Sequence, residues 1–121
     1  TAEYPNDVKI KTLLADRYLR MLSDKAIPLY KSLINLNENN TFAMNNLAWL
    51  LGTKERLDEA EIYARKAMEL TGNDPYILET LGSILVEKGK KQEAVSLLKR
   101  AIDLAPNDKN IKQAYNRAIN L

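Results

Sequence analysis

Few residues in this 121-residue chain could carry chemistry unaided. Cysteine and histidine are both absent, which removes thiol nucleophiles, disulfides, thiolate and imidazole metal ligands, and histidine general bases together. Carboxylates remain, and Asp58, Glu59 and Glu61 are close enough to be considered as a pair or trio. A carboxylate-only site stays formally open. These acids nevertheless stand at the start of a predicted helix, where the helix dipole favours negative charge without any catalytic role. The most basic cluster, Lys88, Lys90 and Lys91, falls in a predicted turn and reads as solvated charge in preference to a phosphate site. No phosphate loop, nucleophile elbow or metal-ligand spacing occurs. The chemistry on offer points away from an enzyme and implies no cofactor and no metal.

The remaining side chains must be positioned by ordinary packed elements. With 45% apolar and 28% charged residues the composition is that of a globular domain, long enough to bury a core without disulfides or metal. The 18 basic and 16 acidic residues are mixed along the length, so the net charge of +2 creates no field that would gather nucleic acid or an acidic membrane. The longest apolar run considered, Leu47 to Leu51, is far short of the roughly 18 residues of a membrane span, so membrane insertion is not expected and the chain is predicted to be soluble. It opens on Thr1 without a signal-peptide pattern, which suggests a piece excised from a longer chain. Cytoplasm and periplasm remain equally open as its location.

Self-similarity organises the whole length. Asp7 to Asn40, Thr41 to Asp74 and Pro75 to Asp108 align as three consecutive blocks of 34 residues. In that register Leu13, Leu47 and Leu81 coincide, as do Ala26, Ala60 and Ala94, and Leu36, Leu70 and Leu104. Each block has apolar residues at helical spacing in two stretches separated by a polar break, and so reads as a helix pair. Asp74 is the expected cap of the third pair with Pro75 in its first turn, Thr41 the expected cap of the second, and Gly72 and Pro106 the stops. The turn of the second block is placed around Gly52 to Arg56. Small residues (Ala48, Gly82, Ala60, Ala94, Ala67 and Ala101) are expected where helices approach closely. Beyond the blocks, Ile111, Ala114, Tyr115, Ala118 and Ile119 predict a further helix over 108–121, either a cap on the last pair or the opening of a fourth. Tyr4, Pro5, Asn6 and Asp7 resemble the close of a preceding repeat.

These residues resemble the tetratricopeptide repeat family. The third block is most similar, with Leu78, Leu81, Gly82, Leu85, Ala94, Leu98, Ala101 and Pro106 on the signature positions. The second departs at Met44, Ala48, Ala64 and Gly72, and the first most of all, with Leu14 at the small position, Arg17 at an apolar one and Glu38 in place of proline. Asn45 to Gly52 and Leu78 to Val86 also resemble repeats of bacterial exopolysaccharide export and sorting proteins, which would imply an envelope setting. The family resemblance implies an all-α, right-handed solenoid of three helix-turn-helix repeats with a C-terminal capping helix, serving protein interaction. RNA-reading helical repeats have a period one residue longer and a basic enrichment that is missing here.

Helix geometry at about 100° per residue gives each first helix two faces. Ile10, Leu13 and Leu14 mark one. Val8, Lys11, Ala15 and Tyr18 mark the other, matched by Phe42, Asn45, Trp49 and Gly52 and then by Tyr76, Glu79, Ser83 and Val86. The family fold would place this second face in a concave groove. Four of the chain's eight aromatic residues fall on it, which favours recognition of a peptide or protein segment. The plainer alternative is that Phe42 and Tyr76 pack between repeats and that Trp49 covers a helix seam. The family's carboxylate clamp would need Lys11 and Asn46, which are present, a second Asn where Ala15 stands, and cations where Tyr76 and Thr80 stand. A buried carboxylate would lack compensation, so a chaperone tail is not expected. A structural spacer or docking segment within a larger assembly is the competing reading, with self-association through an uncapped end as its variant.

Overall fold

The computed structural model describes residues 7–121. Of the expected repeat remnant Tyr4 to Asp7, the first three residues lie outside the described residues, while Asp7 caps the first helix. Seven α-helices follow one another: α1 (Val8–Arg20), α2 (Ala26–Leu36), α3 (Thr41–Thr53), α4 (Leu57–Thr71), α5 (Pro75–Glu87), α6 (Lys91–Leu104) and α7 (Lys109–Ile119). No strand is present among the described residues. Helices pair as α1 with α2, α3 with α4 and α5 with α6, and each pair packs on the next to form a solenoid. Helix α7 lies on α5 and α6 as α5 lies on α3 and α4. It therefore occupies the place that the first helix of a following pair would take.

Capping fixes where these first helices begin. Asp7, Asn40, Asp74 and Asp108 each accept a backbone N–H from the first turn of α1, α3, α5 and α7, at 3.0 Å in the first two cases, 2.9 Å from Tyr76 N in the third and 3.0 Å in the last. Asn40, not the expected Thr41, caps α3, so Thr41 becomes the first helical residue and matches Pro75. Helix α3 also runs through Gly52 to Thr53, which confines the expected turn to residues 54–56.

The caps also correct the register of the first block. Asp7 to Asn40 is one residue shorter than Asn40 to Asp74 or Asp74 to Asp108, so Val8 matches Thr41 and Pro75. The turns agree: Leu22 (φ 51°), Glu55 (φ 61°) and Gly89 (φ 75°) are the left-handed residues after α1, α3 and α5, a conformation that only Gly89 adopts without steric cost. From Ala26 onward the original alignment returns, because Ala26, Ala60 and Ala94 are all fully buried. The missing residue therefore lies in the α1–α2 turn. Gap-free alignment hid it, and the apparent misfits at Leu14 and Arg17 were its trace. In the corrected register Leu14, Ala15 and Tyr18 fall on the family positions held by Leu81, Gly82 and Leu85.

The core runs along the array from Ala15 to Ala118 as a continuous cluster. Its closest approaches use small residues: Ala15, Ala48 and Gly82 in first helices and Ala60, Ala64, Ala94 and Ala101 in second helices are all buried. The first helix of the array differs on its outer side. Ile10, Leu13 and Leu14, expected to be packing residues, remain 37%, 63% and 42% exposed. The matching face of α3 is covered by α2, and that of α5 by α4, whereas no described helix precedes α1.

Candidate functional site

A cleft of about 570 Å³ opens where α3, α5 and α7 run side by side. Trp49 and Gly52 of α3, Glu79, Ser83 and Glu87 of α5, and Asn110, Gln113 and Arg117 of α7 line it, with Glu55 at the α3–α4 turn. It is an open groove and not an enclosed cavity. Four of the residues expected on a common face, Trp49, Gly52, Glu79 and Ser83, are thus brought together. Trp49, the sole tryptophan, remains 46% exposed although its neighbours Ala48 and Leu50 are buried.

The other expected residues lie elsewhere. Phe42 and Tyr76 are exposed near the starts of α3 and α5 but do not line the cleft. Asn45 is half-buried, and its side-chain carbonyl oxygen is buried without a hydrogen-bond partner among the described residues. Asn46 donates to Tyr30 Oη at 3.4 Å. Tyr30 in turn donates to Asp16, so one buried phenol ties α1, α2 and α3 together. Burial, then the bond to Asp16, pushes the Tyr30 phenol well above its ordinary pKa, which keeps it a neutral donor. Val86, aligned with Gly52, is buried.

The one-residue shift decides the fate of the first row. Val8 is exposed, Lys11 is half-buried with its ammonium donating to Ser32 Oγ of α2, and Tyr18 packs against the core with the Lys25 ammonium 5.8 Å above its ring. Ala15 is fully buried at the close-approach position and offers no surface to a ligand. The residues that instead match Phe42, Asn45 and Trp49 are Lys9, Thr12 and Asp16. At the other end the row continues beyond the third block: Asn110, Gln113 and Arg117 of α7 match Tyr76, Glu79 and Ser83. Extending the 34-residue period once more reaches all three from the sequence.

Electrostatics set Glu79 apart. Its carboxyl is raised above the ordinary range, first by burial and then by the nearby charge of Asp108, and it has no ion pair or side-chain hydrogen bond among the described residues. Arg117 is already engaged, its Nη2 lying 2.6 Å from Glu87 Oε1. The acids that first invited a catalytic reading are structural. Glu59 bridges Lys31 at 2.9 Å and Arg56 at 2.6 Å, while Asp58 and Glu61 both meet Lys88. Lys88 is therefore an inter-repeat tie and not the solvated charge expected of its turn. Among the described residues, no cluster of three or more potential ligands that could hold a metal is found, and no helix is long and apolar enough to cross a membrane.

Tetratricopeptide repeat profiles match residues 43–72 and 76–108, together more than half of the chain. The chain belongs to the tetratricopeptide repeat family. Solved structures of the same fold include the TPR domain of Arabidopsis OM64, with a TM-score of 0.85 at 20% identity, covering 96% of this chain and 97% of that one. The second TPR domain of human RPAP3, solved with the HSP70 peptide SGPTIEEVD, has a TM-score of 0.85 at 20% identity over 95% of this chain and 98% of that one. YrrB, described as a TPR protein with an unusual peptide-binding site, has a TM-score of 0.82 at 22% identity over 92% of this chain and 58% of its own. No curated protein sequence gives a match.

Proposed function

We propose that residues 7–121 form a non-catalytic interaction module that holds a peptide or protein segment along the face bearing Trp49, Glu79 and Ser83, with Phe42 and Tyr76 extending the contact. The observation that carries this reading is the half-exposed Trp49 in a cleft shared by the alternate helices α3, α5 and α7, since a large rigid aromatic held open beside polar groups suits recognition better than packing. Family membership supports it, as do relatives of this fold solved with bound peptides.

The segment bound is not a chaperone tail held by a carboxylate clamp. The corrected register puts Thr12 and Asp16 where the clamp wants Lys and Asn, leaving Asn46 as the matching residue. At the cation positions stand exposed Tyr76 and buried Thr80, whose hydroxyl donates to Tyr76 O at 3.0 Å. The test is a pull-down from native cell extract with Trp49→Ala/Tyr76→Ala. Partners captured by the wild type are lost by the double variant while its circular dichroism stays helical, and retention of every partner by the folded variant removes the groove.

A second reading, docking through the end of the array, rests on the uncovered Ile10, Leu13 and Leu14 of α1. It differs from the first in leaving the cleft empty.

A further inference from the structure

The cleft that the proposed function assigns to a peptide has a marked chemical bias. Glu79 sits on its α5 wall half-buried and unpaired among the described residues, in the cleft that Trp49 also lines. Glu55 and Glu87 add negative charge at the rim, and Arg117, the cation lining the cleft, is held on Glu87 at 2.6 Å. The surplus is therefore anionic. No described residue pairs with a carboxylate that burial has already made costly to charge.

We infer that the cleft accepts a segment presenting an arginine or lysine side chain, its charged head on Glu79 and its stem against Trp49. Such a residue meets the two needs at once. Its aliphatic stem covers indole surface while its cation offers a charge-assisted hydrogen bond to the unpaired carboxylate, and an aromatic face attracts the same cation. An acidic segment would instead face Glu55, Glu79 and Glu87 with Arg117 already taken. An arriving cation would oppose both burial and the Asp108 charge, which push the Glu79 carboxyl upward. This specificity rests on the groove reading and goes beyond it.

The test is selection from a random 12-residue peptide display library on wild type, Glu79→Gln and Trp49→Ala, followed by titration of synthetic peptides against Trp49 fluorescence. Peptides enriched on the wild type carry one fixed basic position. Replacing its arginine by neutral citrulline weakens binding about tenfold on the wild type, and this preference largely disappears on Glu79→Gln. Enriched peptides that lack a basic position, or whose arginine preference survives Glu79→Gln, overturn the inference while loss of binding on Trp49→Ala keeps the groove. Absence of enrichment on the wild type over Trp49→Ala overturns both.

Discussion

At the scale of single residues, the acidic side chains divide by their partners. Glu61 is the most heavily engaged: its side chain is 14% exposed, Lys88 and Arg65 both donate to it, and Arg65 Nη2 continues to Glu93 at 2.9 Å. The Lys88 hydrogen bond first, with Arg65 assisting and burial opposing, holds its carboxyl at about 2 against an ordinary 4.5. A carboxyl depressed in the folded state contributes stability that is complete above the unfolded value and lost as pH falls toward the folded one. Thermal melts of the wild type should therefore decline steeply from pH 5 toward pH 2. Glu61→Gln should melt lower at pH 7 and lose less across that same window. Equal slopes for both proteins would show that Glu61 is not the group being titrated. Glu79 is the contrasting case, raised where Glu61 is lowered, because one carboxylate met cations and the other met burial and another acid.

Among elements, the decisive contacts are those where backbones approach. A Cβ built on Gly82 would lie 2.6 Å from Cγ of Leu98, a fully buried side chain that has nowhere to go. Gly82→Ala improves helix propensity by about 0.8–1.0 kcal/mol, yet overpacking costs about 1–3 kcal/mol, so the clash should win and the unfolding midpoint should fall. Leu98→Ala removes the obstructing atoms at a cavity cost of about 2–5 kcal/mol. In chemical denaturation the double variant should be less destabilised than the sum of the single variants, and strict additivity would refute the contact. The small residues were legible beforehand because the repeat placed Gly82 and Ala94 on fixed positions. Other features were not. Leu36, Leu70 and Leu104 also share a position, yet all three stay about half-exposed near the ends of their helices, so recurrence alone does not establish burial. The deleted residue between α1 and α2 was invisible to a gap-free alignment, since Leu13 falls as readily on Leu47 as Leu14 does. The caps, the left-handed turn residues and the buried Ala15 distinguish the two, and capping depends on backbone geometry that residue type merely permits. The cleft was half legible: the period led to Trp49 and Glu79, while its third wall on α7 required treating a terminal helix as part of the repeat.

Across the whole molecule, the two ends are dressed differently. Helix α7 turns Lys109, Lys112, Asn116 and Arg117 outward and buries Ile111, Ala114 and Ala118, whereas α1 leaves Ile10, Leu13 and Leu14 in view. If the α1 end docks on another copy, sedimentation of the wild type should show mass rising with concentration and Leu13→Asp should remain monomeric. Groove binding alone predicts monomers for both. The rows described along α3, α5 and α7 carry a different implication. The exposed or half-buried residues that meet the cleft (Trp49, Glu79, Ser83, Gln113) stand on positions apart from those that hold the array together (Leu47, Leu81, Gly82, Ile111), and buried Ile84 and Ala114 are shared by both. Mutational drift can therefore rewrite what is recognised without touching what folds.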